Sequence, residues 1–154
     1  MIRIRSATKD DAAAWLRMRE ELWPDDGASH ADEIQKYFAG GLQSPLEVLV
    51  AIGAVDAVVG FAELSIRSYA EDCVTDRVAY LEGWYVEPDA RRRGVGRALI
   101  AAAERWALRQ GCSEFASDAL LDNEVSAAAH RALGFEETAQ IRCFRRVLRD
   151  PQLS

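Results

Sequence analysis

The chain has 154 residues, 49% of them hydrophobic, with 25 acidic against 19 basic side chains and a formal charge of −6. That length can bury one ordinary core without staples, and the acidic balance argues against nucleic acid, which a basic face would serve, while suiting a cationic partner. Cys73, Cys112 and Cys143 lack C-x-x-C spacing and only His30 and His130 could join them, which argues against a disulfide framework or a metal site and for reduced thiols in the cytoplasm.

Met1 to Arg5 alternates Ile2 and Ile4 with Arg3 and Arg5, a short first strand rather than the apolar region of a signal peptide. A helix is predicted from about Lys9, capped by Thr8 or Asp10, with Trp15, Met18 and Leu22 on one face. Trp23-Pro24-Asp25-Asp26-Gly27 breaks it. Ser29 with Asp32 starts a second helix carrying Ile34, Tyr37 and Phe38, which Gly40-Gly41 ends. Leu46 to Ile52 and Ala57 to Ile66 read as a hairpin around Gly53 to Asp56. A polar stretch from Arg67 to Arg77 leads to a strand from Val78 to Val86. After Pro88 and a run of arginines, a strong helix spans about Gly94 to Gln110, with Val95, Leu99, Ala102 and Trp106 as its buried stripe and Gly111 at its end. Ser113 to Ser117 is a short strand, Asp122 to Leu133 a helix ended by Gly134, and Gln140 to Leu148 a last strand. No apolar run approaches the ~20 residues that cross a bilayer. Without repeats or linkers, one α+β domain over residues 1–154 is expected, a mixed and mostly antiparallel central sheet flanked by helices.

Arg91-Arg92-Arg93-Gly94-Val95-Gly96-Arg97 lies between the end of a strand and the start of a helix. A helix N-terminus presents unpaired N–H groups and partial positive charge, which seat phosphate. Gly94 and Gly96 would let a pyrophosphate approach the backbone, and the arginines would add charge-assisted contacts. The same residues also suit an ordinary basic loop whose glycines permit tight turning. The segment is neither a P-loop nor a dinucleotide fingerprint.

In its wider context, Val86-x-Pro88, Arg91-x-x-Gly94-x-Gly96, a helix, a strand, Asn123, a helix and Leu133-Gly134-Phe135 resemble the GCN5-related N-acetyltransferase (GNAT) family over nearly the whole chain. The resemblance implies the GNAT fold and acetyl-CoA as co-substrate, with its pyrophosphate on the backbone of Arg92, Arg93, Gly94, Val95, Gly96 and Arg97. It further implies that the strand edge at Trp84, Tyr85 and Val86 pairs with the pantetheine arm, and that Asn123 contacts that arm.

Direct attack on a thioester needs a neutral amine, so a carboxylate must take the ammonium proton. Glu82 stands inside the apolar run Val78 to Val86, expensive there unless it is paired or faces a cleft. Gly83 beside it is consistent with a bulge or a close ligand. Glu82 is therefore expected to act as base or ammonium anchor, with an exposed sheet face as the alternative. Where the family pattern has a tyrosine acid, this chain has His130, which can donate a proton, pack, or hydrogen-bond the cofactor. The cysteines lack recognisable partners, so direct transfer is expected rather than a thioester on the enzyme.

Ser65-Ile66-Arg67 with Tyr69, Leu81-Glu82-Gly83, Ala116-Ser117-Asp118, Gly134-Phe135-Glu136-Glu137-Thr138 and Leu22-Trp23-Pro24 resemble the aminoglycoside 6'-N-acetyltransferases. That implies a polycationic drug substrate, with Trp23, Tyr69, Glu82 and Asp118 lining its site, and a homodimer in which Ile141 to Leu148 is an exchange or pairing edge. Ala139 stands where members of the subgroup can carry a further acid. The alternatives are a GNAT enzyme for a polyamine, another small amine or a protein N-terminus, and an acyl-CoA-binding sensor without turnover. No membrane or nucleic-acid partner is expected.

Overall fold

The computed structural model describes residues 1–24, 29–41 and 44–152. Nine elements follow in chain order among them: β1 (Arg3–Ser6), α1 (Ala12–Leu22), α2 (Ser29–Phe38), β2 (Glu47–Ile52), β3 (Val58–Arg67), β4 (Val78–Val86), α3 (Val95–Arg109), β5 (Phe115–Ser117) and α4 (Glu124–Ala132). The strands form one sheet in the order β1-β2-β3-β4-β5. The first four are antiparallel, and β4 pairs with β5 in parallel. This is the α+β mixed sheet that the hydrophobic patterning calls for. The helix break expected at Asp25, Asp26 and Gly27 lies outside the described residues.

Alternate residues of a strand point to opposite faces, and the sheet carries a separate apolar layer on each. Trp15 and Met18 of α1 and Ile34 of α2 pack with Val48, Val50, Phe61 and Tyr85 on one face. On the other, Val95, Leu99, Ala103 and Trp106 of α3 cover Leu49, Ala62, Leu64, Ala79 and Leu81. Trp84, Leu133 and Phe135 join this second layer. A side chain as fully buried as Leu99 contributes roughly 1.5–3 kcal/mol on leaving water. α3 is closed by Gly111 at φ 82°, the left-handed end that its sequence calls for.

One irregularity positions the chemistry. Glu63 of β3 pairs with Gly83 of β4, but the next residue, Leu64, pairs with Leu81, so Glu82 is an extra residue in β4. Such a bulge bends its strand and re-aims side chains. Here it reverses the alternation. Ala79 and Leu81 belong to the α3 layer, and beyond the bulge it is Trp84 and Val86 that do, with Tyr85 in the α1 layer.

The expected last strand, Gln140 to Leu148, does not form: residues 136–150 contain neither strand nor helix. Ile141, Phe144, Val147 and Leu148 stand exposed. A β-pattern becomes a strand only by hydrogen bonding to a neighbouring edge, and this segment pairs with none among the described residues.

Candidate active site

The seat at the start of α3 is assembled from consecutive residues. After β4 ends at Val86, a 3-10 turn over Pro88–Ala90 leads into the arginine run. Arg91 is tied back, its Nε donating to the Val86 carbonyl (2.8 Å) and its guanidinium 5.4 Å from the Tyr85 ring. Arg92, Arg93 and Arg97 are exposed. Gly94 takes φ 84°, with nothing within 4 Å of where a Cβ would stand, so left-handed backbone rather than crowding is its reason. Gly96 has a different one: a Cβ there would meet Trp84 Cζ2 at 3.0 Å. Its bare backbone admits the indole of β4, a packing reason beside the approach to pyrophosphate that spacing suggests. The first-turn N–H groups of α3 and the exposed guanidinium groups of Arg92, Arg93 and Arg97 form a donor set that fits a pyrophosphate.

Beside this seat the sheet opens. β4 and β5 are paired only at Ala79, Tyr80 and Leu81 with Phe115, Ala116 and Ser117; past Leu81 the second edge of β4 has no strand against it among the described residues. His130 sits at this fork, on the α3 side. Its Nδ1 donates to the Ser126 carbonyl (2.7 Å), which leaves Nε2 to accept from the Ser117 hydroxyl (2.9 Å). Trp84 and Phe135 flank the ring edge-on at 5.4 and 5.2 Å. The Trp84 Nε1 is buried without a partner among the described residues. Tyr85 turns its side chain into the α1 layer, so only its backbone lies along the open edge. Asn123 caps α4, its Oδ1 accepting from the Ser126 N–H at 3.0 Å.

The opposite face holds the carboxylates. At the bulge, Glu82 accepts from the Ser65 hydroxyl, from Arg67 Nε (3.0 Å) and from Arg67 Nη2 (2.7 Å). Two of these donors fill Oε1 and one meets Oε2. A carboxylate has about four acceptor sites, so one on Oε2 stays open. Arg67 Cζ lies 3.5 Å over the Tyr80 ring, and the Tyr80 hydroxyl donates to Asp118 Oδ2 at 2.5 Å. Burial, then the hydrogen bond to Asp118, push the Tyr80 phenol far above its ordinary range, so it stays protonated. Trp23 leans over the same bulge: a Cβ on Gly83 would stand 2.5 Å from its Cη2. Tyr69 is 65% exposed and donates to Glu71 at 3.2 Å. With Arg67, Tyr80, Asp118 and His130 it lines a cleft of about 850 Å³ that continues past β5 to residues 136–143.

The fold therefore joins Glu82 to Asp118 through Arg67 and Tyr80, brings Trp23 over the neighbouring Gly83, sets Tyr69 at the rim, and puts Arg92 to Arg97 on the other side of the opening. Arg67, Tyr80, Ser65 and Ser117 were not among the site residues expected from sequence. Ser65 and Arg67 alternate with Ile66 in β3, which marks one face of the strand but not what lies opposite. Only the β3–β4 register delivers both to Glu82.

The chain matches the model of the Acetyltransferase (GNAT) family over residues 15–135. It is 53% identical over 146 residues to an aminoglycoside N(6')-acetyltransferase type 1 from Klebsiella aerogenes, covering 94% of this chain and 96% of that protein. The structure of AAC(6')-Iy in complex with the bisubstrate analogue CoA-S-monomethyl-acetylneamine is similar with a TM-score of 0.87 at 35% identity, covering 96% of this chain and 99% of that one. The apo structure of AAC(6')-IG from Acinetobacter haemolyticus has a TM-score of 0.86 at 39% identity, with 96% and 99% coverage.

Proposed function

Because this chain belongs to the GNAT acetyltransferase family, we propose that acetyl transfer takes place in the opening between β4 and β5, with the thioester on the α3 side and the amine on the α1 side. The chain is an acetyl-CoA-dependent aminoglycoside 6'-N-acetyltransferase, an activity that acetylates and so disarms the drug. The observation that carries the site assignment is the bulge, which sets Glu82 at the start of the stretch of β4 whose second edge has no strand against it among the described residues.

The amine arrives as an ammonium and must lose a proton to expose its lone pair. Glu82 Oε2, with its open acceptor position, draws that proton off while Arg67 and Ser65 fix the carboxylate in place. The nitrogen then forms its bond to the thioester carbon and sheds its second proton to solvent, the C–S bond breaks, and the thiolate leaves with the electron pair. Ser117 and His130 at the fork hold the hydroxyl and imidazole nearest that leaving group; in its imidazolium form His130 donates from Nε2 to the Ser117 oxygen, whose own hydroxyl proton passes to the thiolate. Glu82 and Asp118 attract the cationic drug, with Trp23 and Tyr69 as its apolar walls. Arg92, Arg93, the backbone from Gly94 to Arg97, the edge at Trp84 to Val86, and Asn123 hold acetyl-CoA. No cysteine suits a covalent route: burial and then Glu114 raise the Cys73 thiol, Cys112 is buried, and Cys143 lies on the exposed C-terminal segment.

The whole chain acts as one acetyltransferase domain. Its exposed Ile141, Phe144, Val147 and Leu148 pair with a second copy, making a homodimer in which the expected strand acquires its missing edge. The setting is cytoplasmic, as three unpaired thiols suit; among the described residues no helix is long and apolar enough to cross a membrane.

Thiol release from acetyl-CoA with kanamycin-like and gentamicin-like drugs, with product analysis of the acetylated nitrogen, tests this. Turnover at the 6'-amine that collapses in Glu82→Gln is expected. Turnover of a polyamine or peptide N-terminus but of no aminoglycoside would overturn the substrate, and acetyl-CoA binding without any turnover would make the chain a sensor. Undiminished activity in Glu82→Gln would remove the base.

A further inference from the structure

Beneath Trp23 lies an ion pair almost sealed from solvent. Arg19 of α1 is 6% exposed and Glu63 of β3 is 1% exposed. Arg19 Nε donates to Glu63 Oε2 at 2.9 Å and Nη2 to Oε1 at 3.1 Å, a two-point fork to which Trp15 Nε1 adds a third contact at 3.4 Å. Nη1 donates to Glu33 Oε2 of α2 at 2.6 Å and to His30 Nδ1 at 3.3 Å. Burying such a pair is a weak source of stability, because desolvation offsets the attraction. Apolar residues would fill this layer as well, so the pair's geometry calls for another account.

That account is the indole above it. Arg19 Cζ lies 5.2 Å from the Trp23 ring centroid, within reach of a cation–π attraction. His30 stacks on the same indole, centroids 6.3 Å apart and planes 19° from parallel, and its Nε2 donates to the Trp23 carbonyl at 3.0 Å. The Trp23 N–H in turn donates to the Arg19 carbonyl at 2.8 Å. Glu63 Oε2 lies 3.6 Å from where a Gly83 Cβ would stand, and Trp23 Cη2 at 2.5 Å. The same ion pair thus touches the bulge from below and grips the residue that covers it.

We infer that the buried Arg19–Glu63 pair, with His30, is a positioning device that holds Trp23 over Gly83 and so sets the wall of the amine cleft next to Glu82. The inference rests on the reading of Trp23 as a wall of that cleft. A planar cation is suited to the task because it fills its fork with Glu63 while presenting a face to the indole.

The test is a mutant cycle on steady-state constants. Arg19→Met/Glu63→Leu removes both charges together and leaves neither unpaired in the core. It is expected to raise the aminoglycoside KM about fivefold while leaving the acetyl-CoA KM unchanged. In a Trp23→Ala background the same double substitution is expected to leave the aminoglycoside KM where Trp23→Ala alone put it. An unchanged aminoglycoside KM in the double variant, an equal rise in the acetyl-CoA KM, or the full rise again in the Trp23→Ala background would overturn the positioning role. Trp23→Ala without effect on the aminoglycoside KM would instead remove the cleft-wall reading on which it rests. Should the double variant fail to fold, Arg19→Lys keeps a cation beside Glu63 but loses the planar face, and the same cycle applies to it with the same outcomes.

Discussion

The proposed acetyl-CoA seat and the proposed amine cleft occupy opposite sides of one opening in one sheet, yet they are built differently. The seat is local: a strand end, a turn, four exposed arginines and a helix N-terminus follow one another within residues 86–97, and its donors are largely backbone. The cleft is composite. Trp23 comes from the end of α1, Arg67 from β3, Tyr80 and Glu82 from β4, and Asp118 from just beyond β5, joined by side-chain contacts from Glu82 to Asp118. A backbone seat tolerates changes of side chain and depends on helix geometry. A side-chain cleft depends on register, so a single substitution can disable it.

That contrast can be broken from either side. Glu82→Gln carries the largest expected effect: kcat falling about 100-fold or more, the range of a lost general base, with the acetyl-CoA KM unchanged. A comparable shift in that KM would show that the two sides are not separable. Next, Arg92→Glu with Arg93→Glu should raise the acetyl-CoA KM about 30-fold at low ionic strength, less in high salt. The aminoglycoside KM, read in the same assay, should stay put.

Tyr80→Phe cuts one link of the cleft and should lower kcat/KM for the drug about tenfold. The sign of its pH behaviour follows from the raised pKa: the phenol is neutral throughout the working range, so the loss should be equal at every pH and the limbs of the profile should not move. A displaced limb would show that Tyr80 titrates. The smallest effect is Asn123→Ala, about 1 kcal/mol of stability through the lost α4 cap, seen as a lower Tm. The acetyl-CoA KM of the same variant should also rise; an unchanged value would remove Asn123 from the groups that hold the co-substrate.

The two regions also differ in how far they could be read in advance. Arg91 to Arg97 announced itself, because a helix start and its flanking charges are neighbours in sequence. Glu82 was legible as well, since a carboxylate in an apolar strand beside a glycine signals a bulge or a cleft. Arg67 was not. A charged residue at the end of a strand looks solvated until the register shows what it faces, and that register contains the extra residue at 82. Gly96 was legible as a needed glycine, but one reason for it was not: the close approach of Trp84, twelve positions away. The segment from Gln140 to Leu148 carried a sound β-pattern, yet pattern supplies no edge to pair with.

The sequence by itself determined the order of the elements from β1 to α4, the buried stripe of α3, the proposed seat for the anionic co-substrate and the presence of a carboxylate inside an apolar strand. These are set by periodicity, caps and neighbouring charges, which act over a few residues. Tertiary structure decided which charges meet: it turned the excess of acids behind the −6 charge into Glu82 held by Arg67, Asp118 held by Tyr80, and Glu63 buried under Trp23. The physical reason is range. A hydrogen bond or ion pair needs contact, and contact between residues 15 to 44 positions apart exists only once the sheet has fixed its register.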